Sequence, residues 1–206
     1  RRRPFTFAAL GSAVRAVATN RQTACFTVAI TFLFAVMTTY LAGSELVLED
    51  VYDRASWFPL FFGAIAVLLA LSSLNNARLV RRLGVVPLVR RMAVAGVGLA
   101  TVLVVVSTTG GGRPNFWIFA ASLATVVPVA QGLIPTCNTA AMTPVPHIAG
   151  TASAVIGTVT TAGGALLGGL VTGAFDGTTR PTAIGMFGCF VVAAVMILVG
   201  TRRTTR

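Results

Sequence analysis

Side chains able to carry out acid–base or nucleophilic chemistry are few in this chain, and their spacing does not suit an active site. There is one histidine, His147, together with five carboxylates and three cysteines. A hydrolytic site needs a base within hydrogen-bonding reach of its nucleophile, usually with a carboxylate behind it. Cys25, Cys137 and Cys189 have no regular spacing, which indicates small buried hydrophobic residues rather than a disulfide, a metal site or a nucleophile. We therefore expect a protein that is not an enzyme and needs no metal or other cofactor.

Reversible binding of a small molecule is a second kind of chemistry, and polar residues at helical spacing point to it. A stripe in the first apolar segment recurs at intervals of three, four or seven and consists of Thr27, Thr31, Phe34, Thr38 and Glu45. These residues share one face of a helix. Polar groups lack partners in lipid, so this face should turn toward other helices or toward a water-filled cavity. Both interpretations stay open for the threonines, and Glu45 is either an ionisable coupling site or a solvated surface group.

A second polar pair occurs in a later apolar segment. Gln131 and Asn138 are seven residues apart and therefore lie on one helical face. We favour a cavity for these two carboxamides, because a face turned to lipid would leave them without partners. The predicted substrate-binding residues are Thr31, Phe34, Thr38, Gln131 and Asn138.

Long segments without charge set the fold class. Hydrophobic residues make up 55% of the 206 residues and charged residues only 10%, which is typical of membrane proteins. A helix needs about 20 apolar residues to cross the hydrocarbon of a bilayer. With a break at Pro144 and Pro146, the uncharged segments predict an all-α polytopic membrane protein with six transmembrane helices. The expected spans are 23–43, 57–77, 92–108, 116–142, 148–175 and 181–200. They form a bundle over 22–201, between a cytoplasmic linker or interfacial helix at 1–21 and a cytoplasmic tail at 202–206.

The distribution of charge predicts the orientation of these spans. Net charge is +11, and every basic residue other than the histidine is an arginine. Thirteen of the sixteen arginines lie before the first span, between the second and third, or after the sixth. All five carboxylates fall in the segments on the opposite side. Short arginine-rich loops stay in the cytoplasm, so both termini should be cytoplasmic, in the inner (plasma) membrane of a bacterial cell. The arginines then face lipid headgroups rather than nucleic acid, and a membrane separates His147 from the carboxylates, which excludes a catalytic triad.

Glycines in the fifth span indicate close contact between helices. Seven glycines lie in residues 147–175. In lipid no hydrophobic force presses helices together, and close approach of small residues replaces it. Gly150, Gly157 and Gly164 have heptad spacing, and Gly164 with Gly168 forms a pair four residues apart. We predict that these four glycines form a smooth helix interface, which allows one helix to slide against another.

Three segments resemble a known family. The sequence PHIAGTASA (146–154) with its glycine-rich continuation is similar to the eleventh transmembrane helix of the bicyclomycin and chloramphenicol resistance (Bcr/CflA-type) drug transporters of the major facilitator superfamily. NARLVRRLG (76–84) resembles their loop between helices eight and nine. YLAGSELVLE (40–49) is similar to the exit of their helix seven, although that family more usually has Ser-Pro-Phe at 44–46. The resemblance covers essentially the whole chain.

The resemblance implies the C-terminal six-helix half of such a transporter, built as a three-plus-three inverted repeat. Its partners would be the N-terminal six-helix half, the lipid bilayer, protons and a small drug-like substrate. The first and fourth spans would line the cavity, and the second and fifth would face the partner half. A cytoplasmic motif would consist of Asn76, Arg78, Arg81, Arg82 and Gly84, with its arginines acting as a latch.

The resulting expectation is multidrug efflux by proton-coupled antiport with alternating access, driven by the proton gradient. Two other functions stay open: import of a small metabolite by the same superfamily, and a non-transporting membrane scaffold or truncated half. No arginine lies in the middle of a predicted span, which favours neutral or cationic amphipathic substrates over anions.

Overall fold

The computed structural model describes residues 7–202, and this range contains seven α-helices and no β-strand. A short helix, α1 (Phe7–Thr19), precedes six long ones. The long helices are α2 (Arg21–Leu46), α3 (Phe58–Leu83), α4 (Val85–Thr109), α5 (Phe116–Met142), α6 (Ala149–Gly173) and α7 (Arg180–Thr201). A π-helical turn at Val47–Val51 extends α2, and 3-10 turns at Ala55–Trp57 and Pro146–Ile148 precede α3 and α6.

The six long helices confirm the six predicted spans. Each is long and apolar enough to cross a membrane, and α5 has the predicted bounds. Three boundaries differ by several residues: α3 ends at Leu83 rather than at residue 77, α4 begins at Val85 rather than at residue 92, and the π turn carries the first span to Val51 rather than to residue 43. The predicted limits were placed at charged residues. Arginine can stay helical there, because its long side chain reaches the headgroups while the backbone keeps its helical hydrogen bonds.

The predicted helix before the first span is present as α1, which packs against α6. The beginning of the predicted linker, with Arg1, Arg2 and Arg3, lies outside the described residues. So does most of the predicted tail, with Arg203 and Arg206.

Helix α2 lies at the centre of the bundle. It contacts α5, α6 and α7, and the large side chains of Phe26, Leu33 and Tyr40 are fully buried there. Helix α4 packs against α5 and α7, whereas α3 packs mainly against α5. Only Ile65 and Asn76 of α3 are buried, so most of its surface is uncovered.

Contacts at the two ends show that the helices run alternately up and down. At one end the Gln22 side chain bonds to Ala140, and at the other Thr179 bonds to Gly112. Eight exposed arginines belong to the first end: Arg15, Arg21, Arg78, Arg81, Arg82, Arg90, Arg91 and Arg202. All five carboxylates belong to the second. We call these the basic end and the acidic end.

At the basic end, α2 caps the end of α5. The last four carbonyls of an α-helix have no partner within that helix. Here the Gln22 Nε2 atom donates to the Ala140 carbonyl at 2.9 Å, and the Thr23 hydroxyl donates to the Ala141 carbonyl at 3.0 Å. The Asn20 side chain in turn accepts from the Thr23 amide and caps the start of α2. Side chains at the start of α2 therefore satisfy two of the free carbonyls at the end of α5.

At the acidic end, the turn between α4 and α5 is fastened to the start of α7. The buried Thr179 donates its amide and its hydroxyl to the Gly112 carbonyl, at 2.9 and 3.2 Å. Gly112 has φ of 90°, and a Cβ atom there would lie 2.7 Å from Cβ of Thr178. This position therefore requires glycine for both its backbone conformation and its close contact.

We expect Gly112→Ala to lower the free energy of unfolding by about 1–3 kcal/mol, because it adds backbone strain and a steric clash. Gly111→Ala is a matched control, since Gly111 also has positive φ, 65°, but open space around it. Thermal unfolding of both variants in detergent measures the difference. Equal midpoints would show that contact with Thr178 contributes nothing.

Candidate functional site

The polar stripe on α2 and the glycines of α6 lie against each other. A Cβ atom built on Gly163 would lie 2.7 Å from Thr31 Cγ2, and one on Gly168 would lie 2.6 Å from Thr38 Cβ. At Gly164 a Cβ atom would overlap Phe34 Cβ. The backbone of α6 therefore approaches α2 directly, as small residues permit in membrane proteins. We call this contact the α2–α6 seam; Gly163 was not predicted to be part of it.

The threonine hydroxyls of the stripe donate within their own helix. Thr31 Oγ1 donates to the Thr27 carbonyl and Thr38 Oγ1 to the Phe34 carbonyl, both at 3.0 Å. Each oxygen keeps lone pairs that can still accept a hydrogen bond. Thr31, Phe34 and Thr38 are half-buried, so one edge of the stripe is open. Helix packing is therefore observed for these residues, and contact with a substrate stays a prediction.

Gln131 and Asn138 lie at the edge of the uncovered face of α5. Gln131 is half-buried and Asn138 is exposed, and neither side chain forms a hydrogen bond within residues 7–202. Pro135 has no amide hydrogen, so the Gln131 carbonyl also lacks its usual partner in the helix. This part of α5 thus offers two carboxamides and a carbonyl oxygen to a ligand. Groups of this kind are costly in lipid unless something binds them.

Asn76 lies on a helix and not in the predicted loop. It is buried on α3, and its Nδ2 atom donates to the Gly132 carbonyl at 3.0 Å and to Thr136 Oγ1 at 2.9 Å. Ser72 lies one turn earlier and donates to the Pro128 carbonyl at 2.9 Å. We call these bonds the α3–α5 polar contact. The spacing of four between Ser72 and Asn76 matches that between Pro128 and Gly132, and this contact was not predicted from the sequence.

The remaining residues of the 76–84 motif form the end of α3. Arg78, Arg81 and Arg82 are exposed on the last two turns, where cations interact favourably with the helix dipole. Gly84 alone separates α3 from α4; its φ is 78°, and its amide bonds to the Val80 carbonyl. The predicted loop is therefore a one-residue turn, because glycine at positive φ reverses the chain without further residues.

Glu45 is exposed near the end of α2 and is the only carboxylate in the seven α-helices. Glu49 and Asp50 follow in the π turn, and Asp53 comes directly after it. Within the described part of the chain these acids form no ion pair. The neighbouring cation, Arg54, instead lies over aromatic rings.

An aromatic cluster holds Arg54 at the acidic end. Its guanidinium carbon lies 5.3 Å from the Trp57 ring centroid and 4.9 Å from that of Phe116. The rings of Phe116 and Tyr52 meet edge to face at 5.3 Å. Burial raises the pKa of Tyr52 to about 12, so its hydroxyl stays neutral. These contacts fix the segment after α2 and were not predicted from the sequence.

Two of the four predicted interface glycines have a different environment. Gly164 and Gly168 are buried in the α2–α6 seam, but Gly150 and Gly157 are exposed with no atom near a Cβ position. Helix α6 thus has one small-residue face that is covered and another that no described residue covers.

Comparison with models of known protein families, with curated proteins and with solved structures gave no match. The similarity to drug transporters therefore depends on the residue patterns alone.

Proposed function

We propose that this chain is the C-terminal half of a major facilitator superfamily transporter that exports small amphipathic compounds by proton-coupled alternating access. Six membrane-length helices, an uncovered face with polar edges and a covered glycine seam support this function.

One observation supports it most strongly: the packing keeps its pattern when the first three spans are exchanged with the last three. Under this exchange α2 replaces α5, α3 replaces α6, and α4 replaces α7. The α2–α6 and α2–α7 contacts become the α5–α3 and α5–α4 contacts, which are also formed, with the α3–α5 contact smaller than the α2–α6 contact. The α2–α5 and α4–α7 contacts map onto themselves, and the sparse α3–α4 and α6–α7 contacts exchange. Such a pattern is expected of an inverted repeat, the building plan of many transporters.

The uncovered surfaces fit a missing partner bundle. Helix α3 is the least buried of the six spans and α6 is next, equal with α4, and the exchange relates α3 and α6 to each other. A second bundle packed against them would enclose the open edges of α2 and α5, which carry Thr31, Thr38, Gln131 and Asn138. Rocking of the two bundles would expose this space to one side and then to the other. Neutral or cationic amphipathic compounds suit the neutral lining.

Glu45 is our candidate for proton coupling, because it is the only carboxylate in the seven described α-helices and lies on the half-open stripe of α2. A proton bound there would change the charge at the mouth of the cavity on each cycle.

We expect Gln131→Ala and Asn138→Ala each to reduce efflux by the natural full-length protein about 3- to 10-fold, the value of one hydrogen bond to a ligand. Transport of a fluorescent amphipathic cation into inverted vesicles provides the measurement, with membrane insertion checked by western blot. Thr101→Ala is the control, since Thr101 is exposed on α4 and bonds only to its own helix. Unchanged efflux in both variants would show that the Gln131 and Asn138 side chains do not contact the substrate.

A further inference from the structure

Two prolines interrupt the hydrogen bonds of α5 beside the predicted substrate residues. Pro128 and Pro135 lie inside this helix, and neither has an amide hydrogen to donate to the carbonyl four residues earlier. Residues 128–135 are therefore less tightly held within α5, and proline is a usual point for a helix to bend. Gln131 lies within this segment, and Asn138 lies about one turn beyond it. The direction of both carboxamides consequently depends on what holds the segment from outside.

Side chains of α3 hold this segment at three atoms of α5. Ser72 donates to the Pro128 carbonyl, and Asn76 donates to the Gly132 carbonyl and to Thr136 Oγ1. These acceptors lie at the beginning of the segment, in its middle and just after it. Within the described part of the chain, the other side-chain hydrogen bonds between long helices or their turns lie near the two ends of the bundle. The α3–α5 polar contact therefore fastens two helices to each other away from their ends.

Gly132 allows α3 to approach α5 at this point. A Cβ atom there would lie 3.6 Å from Ser72 Oγ, 3.7 Å from Asn76 Cγ and 2.9 Å from Met92 Cε of α4. Three helices therefore meet at Gly132, and Gln131 is its neighbour in the chain. Because successive residues of an α-helix are about 100° apart, holding Gly132 toward α3 also fixes the face on which Gln131 lies.

Stability does not account for an asparagine at position 76. Asn76 is buried, and its Oδ1 atom has no partner among the described residues. A hydrogen bond between membrane helices adds little net stability, whereas a buried acceptor without a donor is costly. The Gly132 carbonyl also accepts from Thr136 Oγ1 at 3.0 Å, so it keeps a partner when an apolar residue replaces Asn76. A buried asparagine can instead fix the register of packed helices at a cost in stability, as it does in coiled coils.

The equivalent contact in the proposed repeat packs without such bonds. Exchange of the two halves relates the α3–α5 contact to the α2–α6 seam, where glycines allow close approach. Thr31 and Thr38 of the seam donate to carbonyls of their own helix, and no hydrogen bond joins α2 to α6 within residues 7–202. Packing of these helices therefore does not require the bonds that Ser72 and Asn76 form.

We propose that Asn76, assisted by Ser72, is a positioning residue for substrate binding: it fixes the rotation of α5 that turns Gln131 and Asn138 toward the uncovered surface. This role rests on the proposed function, in which the two carboxamides contact the exported compound. Asn76 itself is buried against α5 and does not touch the compound. Without its two bonds, residues 128–135 adopt further orientations, and apparent affinity falls with the fraction of protein in the competent one.

The kinetics of efflux test this role in the natural full-length protein, with the same fluorescent amphipathic cation in inverted vesicles. We expect Asn76→Leu to raise KM about 3- to 10-fold, which corresponds to a competent fraction of about 10–30%. The maximal rate and the thermal unfolding midpoint should stay unchanged. In a protein that already carries Gln131→Ala and Asn138→Ala, Asn76→Leu should raise KM no further. Asn75→Leu is the matched control, because Asn75 is exposed on α3 and forms no hydrogen bond within residues 7–202.

Two kinetic results would overturn the proposal. An equal rise of KM with and without the two carboxamides would show that Asn76 acts on the bundle as a whole. A fall of the maximal rate together with the unfolding midpoint would show a structural role alone.

Labelling of a cysteine at position 131 by a water-soluble maleimide measures the orientation of α5 without transport. In the Gln131→Cys protein, Asn76→Leu should slow the labelling, and Asn75→Leu should leave it unchanged, after subtraction of labelling without the added cysteine. Equal labelling rates in all three proteins would overturn the positioning of α5 by Asn76. Slower labelling, combined with efflux that does not depend on Gln131 and Asn138, would overturn the proposed cavity and leave the placement of α5 by Asn76 intact.

Discussion

Leucine at Gly164 is expected to prevent assembly of the bundle. A Cβ atom at this position overlaps Phe34 Cβ and lies 3.1 Å from the Phe34 carbonyl carbon and 3.2 Å from the Ala35 nitrogen. Backbone atoms cannot rotate away, so α2 and α6 would have to separate along the seam. We expect a loss of at least ~3 kcal/mol of folding free energy, near the upper end for overpacked positions. The measurements are recovery of monodisperse protein from detergent and the midpoint of thermal unfolding.

Gly169→Leu is the matched control on the same helix, because Gly169 is exposed and has no atom within 4 Å of a Cβ position. If Gly164→Leu unfolds at the same temperature as this control, the α2–α6 seam is not as close as described.

Gly163 offers a finer test of the same seam. A Cβ atom there meets only the Cγ2 atom of Thr31 at 2.7 Å, whereas Thr31 Cβ is 4.0 Å away. Thr31→Ser removes that methyl group and keeps the hydroxyl. We therefore expect Gly163→Ala to destabilise the protein by about 1 kcal/mol and Thr31→Ser to cancel most of this loss in the double variant. If the stability changes of the two single variants simply add in the double variant, the new methyl group clashes with an atom other than Thr31 Cγ2.

The helices could be predicted from the sequence because the bilayer fixes their length. Residues 116–142 were predicted with the observed bounds, since Arg113 and the prolines at 144 and 146 mark both limits. The start of α4 could not be predicted from charge. Arg90 and Arg91 lie within the helix, and the single left-handed residue Gly84 replaces the expected loop.

The neighbours of each helical face could not be predicted in the same way. Periodicity placed Thr31, Phe34 and Thr38 on one face, but a face does not identify the helix that covers it. These three residues were predicted to bind substrate, and Gly164 was predicted to form a helix interface. In the structure they lie on opposite sides of one contact between α2 and α6. Asn76 was missed as a buried residue for the same reason, since its partners on α5 lie far along the chain.

Leucine at Gly157 is expected to leave the fold intact and to reduce transport at least tenfold. Gly157 is exposed on α6, and a Cβ atom there meets nothing within 4 Å among the described residues. In the proposed transporter this face slides against the partner bundle, and in one of the two states the bundles close over it. An added side chain would disfavour that state by about 1.5–3 kcal/mol, which shifts the population of the two states by about tenfold or more. The readout is efflux by the natural full-length protein, together with its thermal unfolding midpoint.

Gly188→Leu makes this prediction specific to the surface of α6. Gly188 is also exposed and has no atom within 4 Å of a Cβ position, but it lies on α7, which is not among the helices that face the partner bundle in the proposed architecture. Both variants add the same side chain to an open position on a membrane-spanning helix, so a general effect on insertion or helix stability would change them alike. Only a partner bundle that closes over α6 would reduce efflux by Gly157→Leu and leave efflux by Gly188→Leu unchanged. Normal efflux by Gly157→Leu would therefore show that this face of α6 does not move against a second bundle.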